Sequence, residues 1–199
     1  MRRPVRIGIT GGIGSGKSTL VAELARRGCA VFSADEQVHE LYARDEALRG
    51  LLRERWGDQV VAVDGSIDRS RVSAIVFADA VERAWLESVV HPLVGAAWES
   101  FAAQASSAPA IVAEVPLLFE AGLEDRYDLT VLVTAPVEDR LRRVEARGVS
   151  AKDAHARMQA QLTEQERSNR AHLVLANTGT LDDMPQLADR VLEAARSLT

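Results

Sequence analysis

The chain has 199 residues, 47% of them hydrophobic and 27% charged, with a net charge of -5. That length suits one domain or a core with inserted subdomains, and the acidic balance gives no general reason to expect nucleic-acid or membrane-surface partners. Cys29 is the single cysteine, no stretch approaches roughly 18 apolar residues, and the apolar run after Met1-Arg2-Arg3-Pro4 is too short for a signal-peptide core, so a cytoplasmic protein in a reducing compartment is expected.

In chain order, Val5 to Ile9 reads as a short strand leading into Gly11-Gly12-Ile13-Gly14-Ser15-Gly16-Lys17-Ser18-Thr19. Gly11, Gly16, Lys17 and Ser18 fill the spacing G-x-x-x-x-G-K-[ST] of a phosphate-binding loop, and a helix pattern follows at once. The glycines let the backbone curl so that successive N–H groups converge on an anion, and the helix N-terminus adds its partial positive charge. Lys17 is expected to reach the β- and γ-phosphates and the Ser18 hydroxyl to ligate Mg²⁺. Only Lys17 and Lys152 are lysines among 24 basic residues, so an arginine-rich chain still places a compact ammonium at the phosphate position.

The first helix should run from Lys17 to Arg27 and stop at Gly28. Cys29 to Phe32 reads as a buried strand, and Ser33 and Glu36 have the spacing of a capping box that opens the next helix. From there to about Ser107 the pattern is helical with turns, with a turn signal at Val63-Asp64-Gly65-Ser66 and a helix over Arg69–Phe77. A longer helical pattern over Val81–Phe101 is interrupted at Pro92, which should kink or restart it. Trp56, Trp85 and Trp98 all lie in this region and read as core packing.

Ala110 to Val115 and Leu129 to Thr134 are continuous apolar runs of the kind buried in parallel sheets, and Leu173 to Ala176 is a last strand. Helical patterns cover Pro136–Arg147, Ser150 to about Ala171, and Leu181–Ala195. The reading is an α/β protein: a P-loop core with a five-stranded parallel sheet flanked by helices, plus a helical substrate-binding insert and a helical lid. As a single domain over 1–199 it divides into core (1–34, 108–137, 171–199), insert (35–107) and lid (138–170). Ligands should gather at the carboxyl ends of the strands.

Several residues carry candidate chemistry. Asp35, just past the second strand, is placed to take a proton from an acceptor hydroxyl or to orient it; it equally suits a first helical turn, where acids complement the dipole. Glu114 ends a buried strand, which is costly without a partner, and favours a metal or water-mediated role. Arg140, Arg143 and Arg147 recur at i, i+3, i+7 and share a helix face, with Arg157 on the next helix. They could neutralise a transferring phosphoryl group, or form a solvated face with Glu138–Arg142 and Asp139–Arg143 pairs. His91, before Pro92, reads more readily as structural than as an acid–base residue.

The motif set resembles the dephospho-coenzyme A kinases over nearly the whole chain. The resemblance runs through Thr10–Thr19, Ser33-Ala34-Asp35, Ile67-Asp68-Arg69, Val76-Phe77, Leu86-Glu87 and His91-Pro92. It continues through Pro116-Leu117-Leu118-Phe119-Glu120, Arg157-Met158-Gln159-Ala160-Gln161 and Asn177-Thr178-Gly179. It implies transfer of the ATP γ-phosphate to the ribose 3′-hydroxyl of dephospho-coenzyme A, with Mg²⁺ and Asp35 as candidate base. It implies a donor site of Gly12, Gly14, Ser15, Gly16, Lys17, Ser18 and Thr19, with Arg143 and Arg147 at phosphates and Asn177 at adenine. Substrate contacts fall to Asp35, Arg69, His91, Pro116, Leu117, Leu118, Phe119, Glu120, Arg157 and Gln161, and metal contacts to Ser18 and Glu114. The chain departs from the family pattern at Arg140, where Gln is frequent, at His172, where Asp is common, and at Ser33, where the aspartate motif usually begins with Asp.

Two other readings stay open: a nucleoside-monophosphate or small-metabolite kinase on the same core, and a P-loop nucleotide switch. Against the latter class, the chain has no Asn-Lys-x-Asp for guanine and no Leu-Ser-Gly-Gly-Gln transporter signature. The small-molecule reading needs neither nucleic acid nor membrane, and a monomer is favoured.

Overall fold

In the computed structural model of the protein, which describes residues 3–148, 161–178 and 183–198, five strands form one parallel sheet. They are β1 (Val5–Gly11), β2 (Ala30–Ser33), β3 (Ala110–Glu114), β4 (Leu129–Thr134) and β5 (Leu173–Ala176), in the order β2-β3-β1-β4-β5. β1 is central, pairing Ile9 with Glu114 of β3 and with Val131 of β4. Ile7, Ile9, Val112, Val131, Val133 and Leu175 are fully buried. That burial on both faces of the sheet explains why these strands read as unbroken apolar runs.

Two compact units make up the chain, residues 1–33 with 105–199, and residues 34–104. In the first, α1 (Lys17–Arg26) and the C-terminal α8 (Met184–Arg196) pack on the sheet, Leu20, Leu24, Ala188 and Val191 joining the strand residues in one core. α1 ends one residue before the expected Arg27, and Gly28 turns the chain with φ 86°. α6 (Val137–Glu145) is likewise shorter than expected, so Arg147 lies in the turn beyond it rather than on its face. The helix expected over 150–171 is described only from residue 161, and there it begins at α7 (Glu164–Arg170). Thr163 caps it: its hydroxyl accepts from Glu166 N–H while the Glu166 carboxylate accepts from Thr163 N–H, a reciprocal capping box.

The second unit is helical: α2 (Ala34–Arg44), α3 (Glu46–Trp56), α4 (Arg69–Ala78) and α5 (Ala80–Gln104). Asp45 and Asp68 cap α3 and α4 through their side chains. Its core holds Tyr42, Leu48, Leu52, Trp56, Val60, Ile67, Val72 and Val90, with Trp85 edge-on to Trp56 at 5.2 Å. Pro92 does not restart α5, which runs unbroken through it. Proline removes one backbone donor, and Val90, Leu93 and Val94, packed into the unit's core on both sides of it, hold the helix in register.

Candidate active site

The glycine loop leaves β1 at Gly11 and enters α1 at Gly16, whose φ of 100° is a left-handed conformation open to glycine at little cost. Gly16 offers no side chain to cap α1, so the helix's first N–H groups stay available to an anion. Lys17 is 9% exposed and lies back across the loop, its Nζ donating to Gly11 O at 3.0 Å and Gly12 O at 3.1 Å. Two neutral carbonyls of the loop thus help hold the ammonium at its mouth. Ser15 Oγ is buried with no hydrogen-bond partner among the described residues.

Neighbouring elements brace this loop. A Cβ on Gly12 would collide with the Arg140 guanidinium, and one on Gly16 with the Asn177 amide nitrogen. Asn177, at the end of β5, is 2% exposed and donates through Nδ2 to Ser15 O at 2.8 Å. The Asn177 Nδ2 thus supports the P-loop backbone, while its buried Oδ1 lacks a partner among the described residues.

Ser18 Oγ donates to Glu114 Oε1 at 2.8 Å, joining the first turn of α1 to the carboxyl end of β3. Both groups are hard oxygen donors, the set Mg²⁺ prefers when it keeps several waters and binds substrate phosphates. The residues present fit that ion. Among the described residues no group of three or more His, Cys, Asp or Glu gathers as a metal site of its own, so phosphate oxygens and water would complete the coordination.

From the other side, α6 presents arginines to the loop. Arg140 is 6% exposed, and its Nε donates to Ile13 O at 3.0 Å. Arg143 Nη1 donates to Gly14 O at 3.3 Å. On the outer face Arg142 pairs with Asp139 at 3.1 Å, a pairing other than the expected Glu138–Arg142 and Asp139–Arg143. Arg147 is exposed beyond the helix end, and Arg157 lies outside the described residues.

The loop after β3 is anchored by the segment entering α7. Pro116 O accepts from Thr10 Oγ1 and Gln161 Nε2, each at 3.2 Å, and Glu120 Oε1 accepts from Leu162 N–H at 2.9 Å. Leu118 and Phe119 are 0% and 1% exposed. Their side chains pack into the core, Leu118 against Gly8 and Phe119 beneath the Arg170 guanidinium, so any substrate contact from these two positions falls to their backbone. Leu117 is open to solvent, while Glu120 Oε2 and Gln161 Oε1 are buried and unpartnered among the described residues.

In the helical unit, Asp35 is exposed in the first turn of α2, two residues after Ser33, the register partner of Glu114. Arg69 is exposed at the start of α4, close enough to Tyr42 to act on its phenol, whose pKa burial pushes up to about 12 against that positive charge. His91 is exposed in mid-helix on α5.

One further residue drew no attention in the sequence. Arg167 on α7 is 3% exposed, and its Nε and Nη1 have no hydrogen-bond partner among the described residues. Nothing in its spacing distinguishes it from the other arginines between 138 and 170; only burial does.

A glycine loop at the carboxyl end of the central strand, with a lysine at its mouth and a serine–carboxylate pair beside it, is built to hold a polyphosphate. The class it defines is the P-loop kinase. Similarity to known proteins narrows that class, since residues 5–183 match the dephospho-CoA kinase family. The chain is 40% identical over 193 residues to a dephospho-CoA kinase of Thermus thermophilus, covering 96% of this chain and 92% of that one. It is 36% identical over 190 residues to a dephospho-CoA kinase of Thermobifida fusca, covering 95% of each. Its fold matches the crystal structure of TT1252 from Thermus thermophilus with a TM-score of 0.76 and 39% identity, over 97% of this chain and 98% of that one. The chain belongs to the dephospho-CoA kinase family, transferases of the last step of coenzyme A synthesis.

Proposed function

We propose that this chain transfers the γ-phosphoryl group of ATP to the ribose 3′-hydroxyl of dephospho-coenzyme A, giving coenzyme A and ADP. The carrying observation is that the family match over residues 5–183 takes in the P-loop, Asp35, Glu114 and the arginines of α6 together. Phosphoryl transfer asks little covalent chemistry of a protein and depends on positioning and charge neutralisation. The N–H groups of Gly14 to Ser18 bind the phosphate chain, and Lys17 exchanges its carbonyl partners for phosphate oxygens. Ser18 and Glu114 would hold Mg²⁺, which when bound screens the charge of the phosphates. Arg143, with Arg147 and Arg157, supplies positive charge where the transferring group loses its bond to ADP.

Asp35 takes the proton of the acceptor hydroxyl. The helical unit, through Arg69 and His91, holds the rest of dephospho-coenzyme A, with Leu117 and Glu120 contributing from the loop after β3 and Gln161 from the segment entering α7. The setting is a cytoplasmic monomer, and the lone buried Cys29 suits a reducing compartment. Among the described residues no helix is long and apolar enough to cross a membrane.

The test is ADP release coupled to a reporter, with dephospho-coenzyme A, AMP and shikimate offered separately and the phosphate position on the product assigned. Turnover with dephospho-coenzyme A alone and a 3′-phosphate on the product is expected. Phosphorylation of AMP or shikimate with dephospho-coenzyme A inert overturns the reading.

A further inference from the structure

Two arginine side chains are buried, Arg140 against the P-loop and Arg167 on α7, and neither makes an ion pair among the described residues. Arg140 reaches the loop from α6: its Nε is fixed on Ile13 O and its guanidinium fills the space a Gly12 side chain would take. Arg167 comes from α7 and is the more buried of the two, 3% exposed against 6%. The two charges repel: burial first, and then the charge of Arg167, make the protonated state of Arg140 less favourable, with Glu164 opposing more weakly. Burying a like-charged pair is costly unless something of opposite sign completes it.

Arg167 leaves two of its three guanidinium nitrogens unmet among the described residues. Nε and Nη1, adjacent donors of the guanidinium fork, have no partner among the described residues. Such buried, unmet donors are rare in folded proteins and call for an explanation. The surrounding contacts fix the backbone of α7 instead. Leu162 N–H binds Glu120, and Arg170 pairs with Glu124 while lying over Phe119 at 5.2 Å. The helix is tied down at both ends while the residue between them carries an unsatisfied fork. Adjacent Nε and Nη donors match two oxygens of a phosphate or carboxylate, and the charge of Arg167 acts on Arg140, which itself lies against Gly12 and Ile13 of the P-loop.

We infer that Arg167 and Arg140 form a two-guanidinium cradle beside Gly12 that binds the terminal phosphate of the donor nucleotide, with the free fork of Arg167 making the bidentate contact. The inference rests on the P-loop being the donor site and not on which acceptor is used. It assigns Arg167 a role in distinguishing triphosphate from diphosphate, because only the former brings an anion to the cradle. Before nucleotide binds, the pair is a source of local repulsion, which binding relieves.

The experiment compares Arg167→Met, which keeps most of the volume and removes the fork, with Arg167→Lys, Arg140→Gln and the parent protein. ATP, ADP and inorganic phosphate affinities are measured by calorimetry without acceptor, and the thermal midpoint is measured with and without each ligand. For Arg167→Met the expected results are a ligand-free midpoint equal to or above the parent's and an ATP affinity lower by about tenfold to a hundredfold, the worth of one or two charge-assisted hydrogen bonds. ADP affinity should be unchanged. Arg167→Lys should restore little, since an ammonium does not reproduce the fork, and Arg140→Gln should weaken ATP more than ADP.

Binding of phosphate by the parent and not by Arg167→Met would locate the cradle directly. Equal losses for ATP and ADP, or a midpoint several degrees below the parent's with the ATP-to-ADP ratio intact, would make Arg167 a structural residue and overturn the inference. If Arg167→Met does not fold, the ATP-to-ADP ratio of Arg140→Gln decides alone: an unchanged ratio overturns the inference. Because no acceptor is present, these outcomes are independent of whether dephospho-coenzyme A is the substrate.

Discussion

The Ser18 hydroxyl and the Glu114 carboxylate meet at 2.8 Å, Oγ to Oε1, across 96 residues of sequence. Ser18 is held by the first turn of α1, and Glu114 by its register with Ile9 and Ser33 at the sheet's carboxyl edge. Neither depends on a loop for its position. Ligands and their partners held by regular elements give a site its precision, and this pair orients the one protein hydroxyl expected to touch the ion.

Glu114→Gln keeps an acceptor for Ser18 and removes the charge. The expected outcome is a folded protein whose Mg²⁺ dependence of turnover shifts to higher concentration by about tenfold or more, within the range seen when partners of metal ligands are lost. A titration of activity against Mg²⁺ at saturating ATP measures it. An unchanged midpoint would leave Glu114 as no more than a hydrogen-bond partner of Ser18.

Asp35→Asn isolates the proton-transfer role. The side chain is exposed and belongs to the first turn of α2, so the change should leave stability near the parent's, as surface substitutions do. Turnover number should fall on the order of 10²–10⁴ with little change in ATP affinity, as for loss of a general base. Steady-state kinetics with ATP binding measured separately distinguishes this from a positioning defect. Near-normal turnover would remove Asp35 from the chemistry.

The P-loop and the sheet were legible because local spacing dictates them: four fixed residues, a preceding apolar strand and a following helix leave few alternatives. The arginines were legible only as a face. The i, i+3, i+7 spacing of Arg140, Arg143 and Arg147 fits a phosphate-facing stripe and, slightly better, a solvated one, and what brings Arg140 to the P-loop is a contact with Ile13, 127 residues away. Arg147 also falls off that face because α6 stops at Glu145. Leu118 and Phe119 were drawn to the site by the motif they share with Leu117 and Glu120, whereas chain direction in the turn after β3 sends both into the core. Arg167 had no signal at all, since burial of a charge is a tertiary property.

His172 is a departure from the family pattern that the structure explains. Thr130 is fully buried, its N–H donates to His172 Nδ1 at 3.0 Å, and His172 N–H returns a bond to Thr130 Oγ1 at 3.1 Å. The ring acts as an acceptor at Nδ1, so in its neutral form it carries its proton on Nε2. A carboxylate would accept the same N–H. His172→Asp is therefore expected to stay within about 0.5 kcal/mol of the parent, and His172→Ala to lose about 1 kcal/mol, because an exposed edge lets water replace part of the bond. Denaturant midpoints at matched slope test both. Equal losses for Ala and Asp would show that the ring is held by packing instead.

Asp128 closes the start of β1 onto the turn into β4, and its protonation should be visible in stability. Its carboxylate accepts two hydrogen bonds from the Arg3 guanidinium at 2.7 Å each and one from Arg6 N–H at 2.8 Å, while Asp128 N–H donates to Arg6 O. The Arg3 hydrogen bonds hold the carboxyl below its ordinary pKa, against partial burial, which pushes it up; Arg6 N–H adds to the lowering. A folded-state pKa below the unfolded value of about 3.9 means that the unfolded chain takes up the proton first. The stabilisation is then fully present above that value and is lost as pH falls through the folded pKa. The group is partly open to solvent and its partner Arg3 is mostly exposed, so the amount is modest, as for other surface pairs. Asp128→Asn should accordingly cost a constant increment of stability between pH 5 and pH 8, within the roughly 0.2–1 kcal/mol of such pairs, and the difference from the parent should shrink below about pH 4. Urea unfolding of both proteins across that range measures it. A difference that grows on acidification would mean that the carboxylate is stabilised more in the unfolded chain than in the fold.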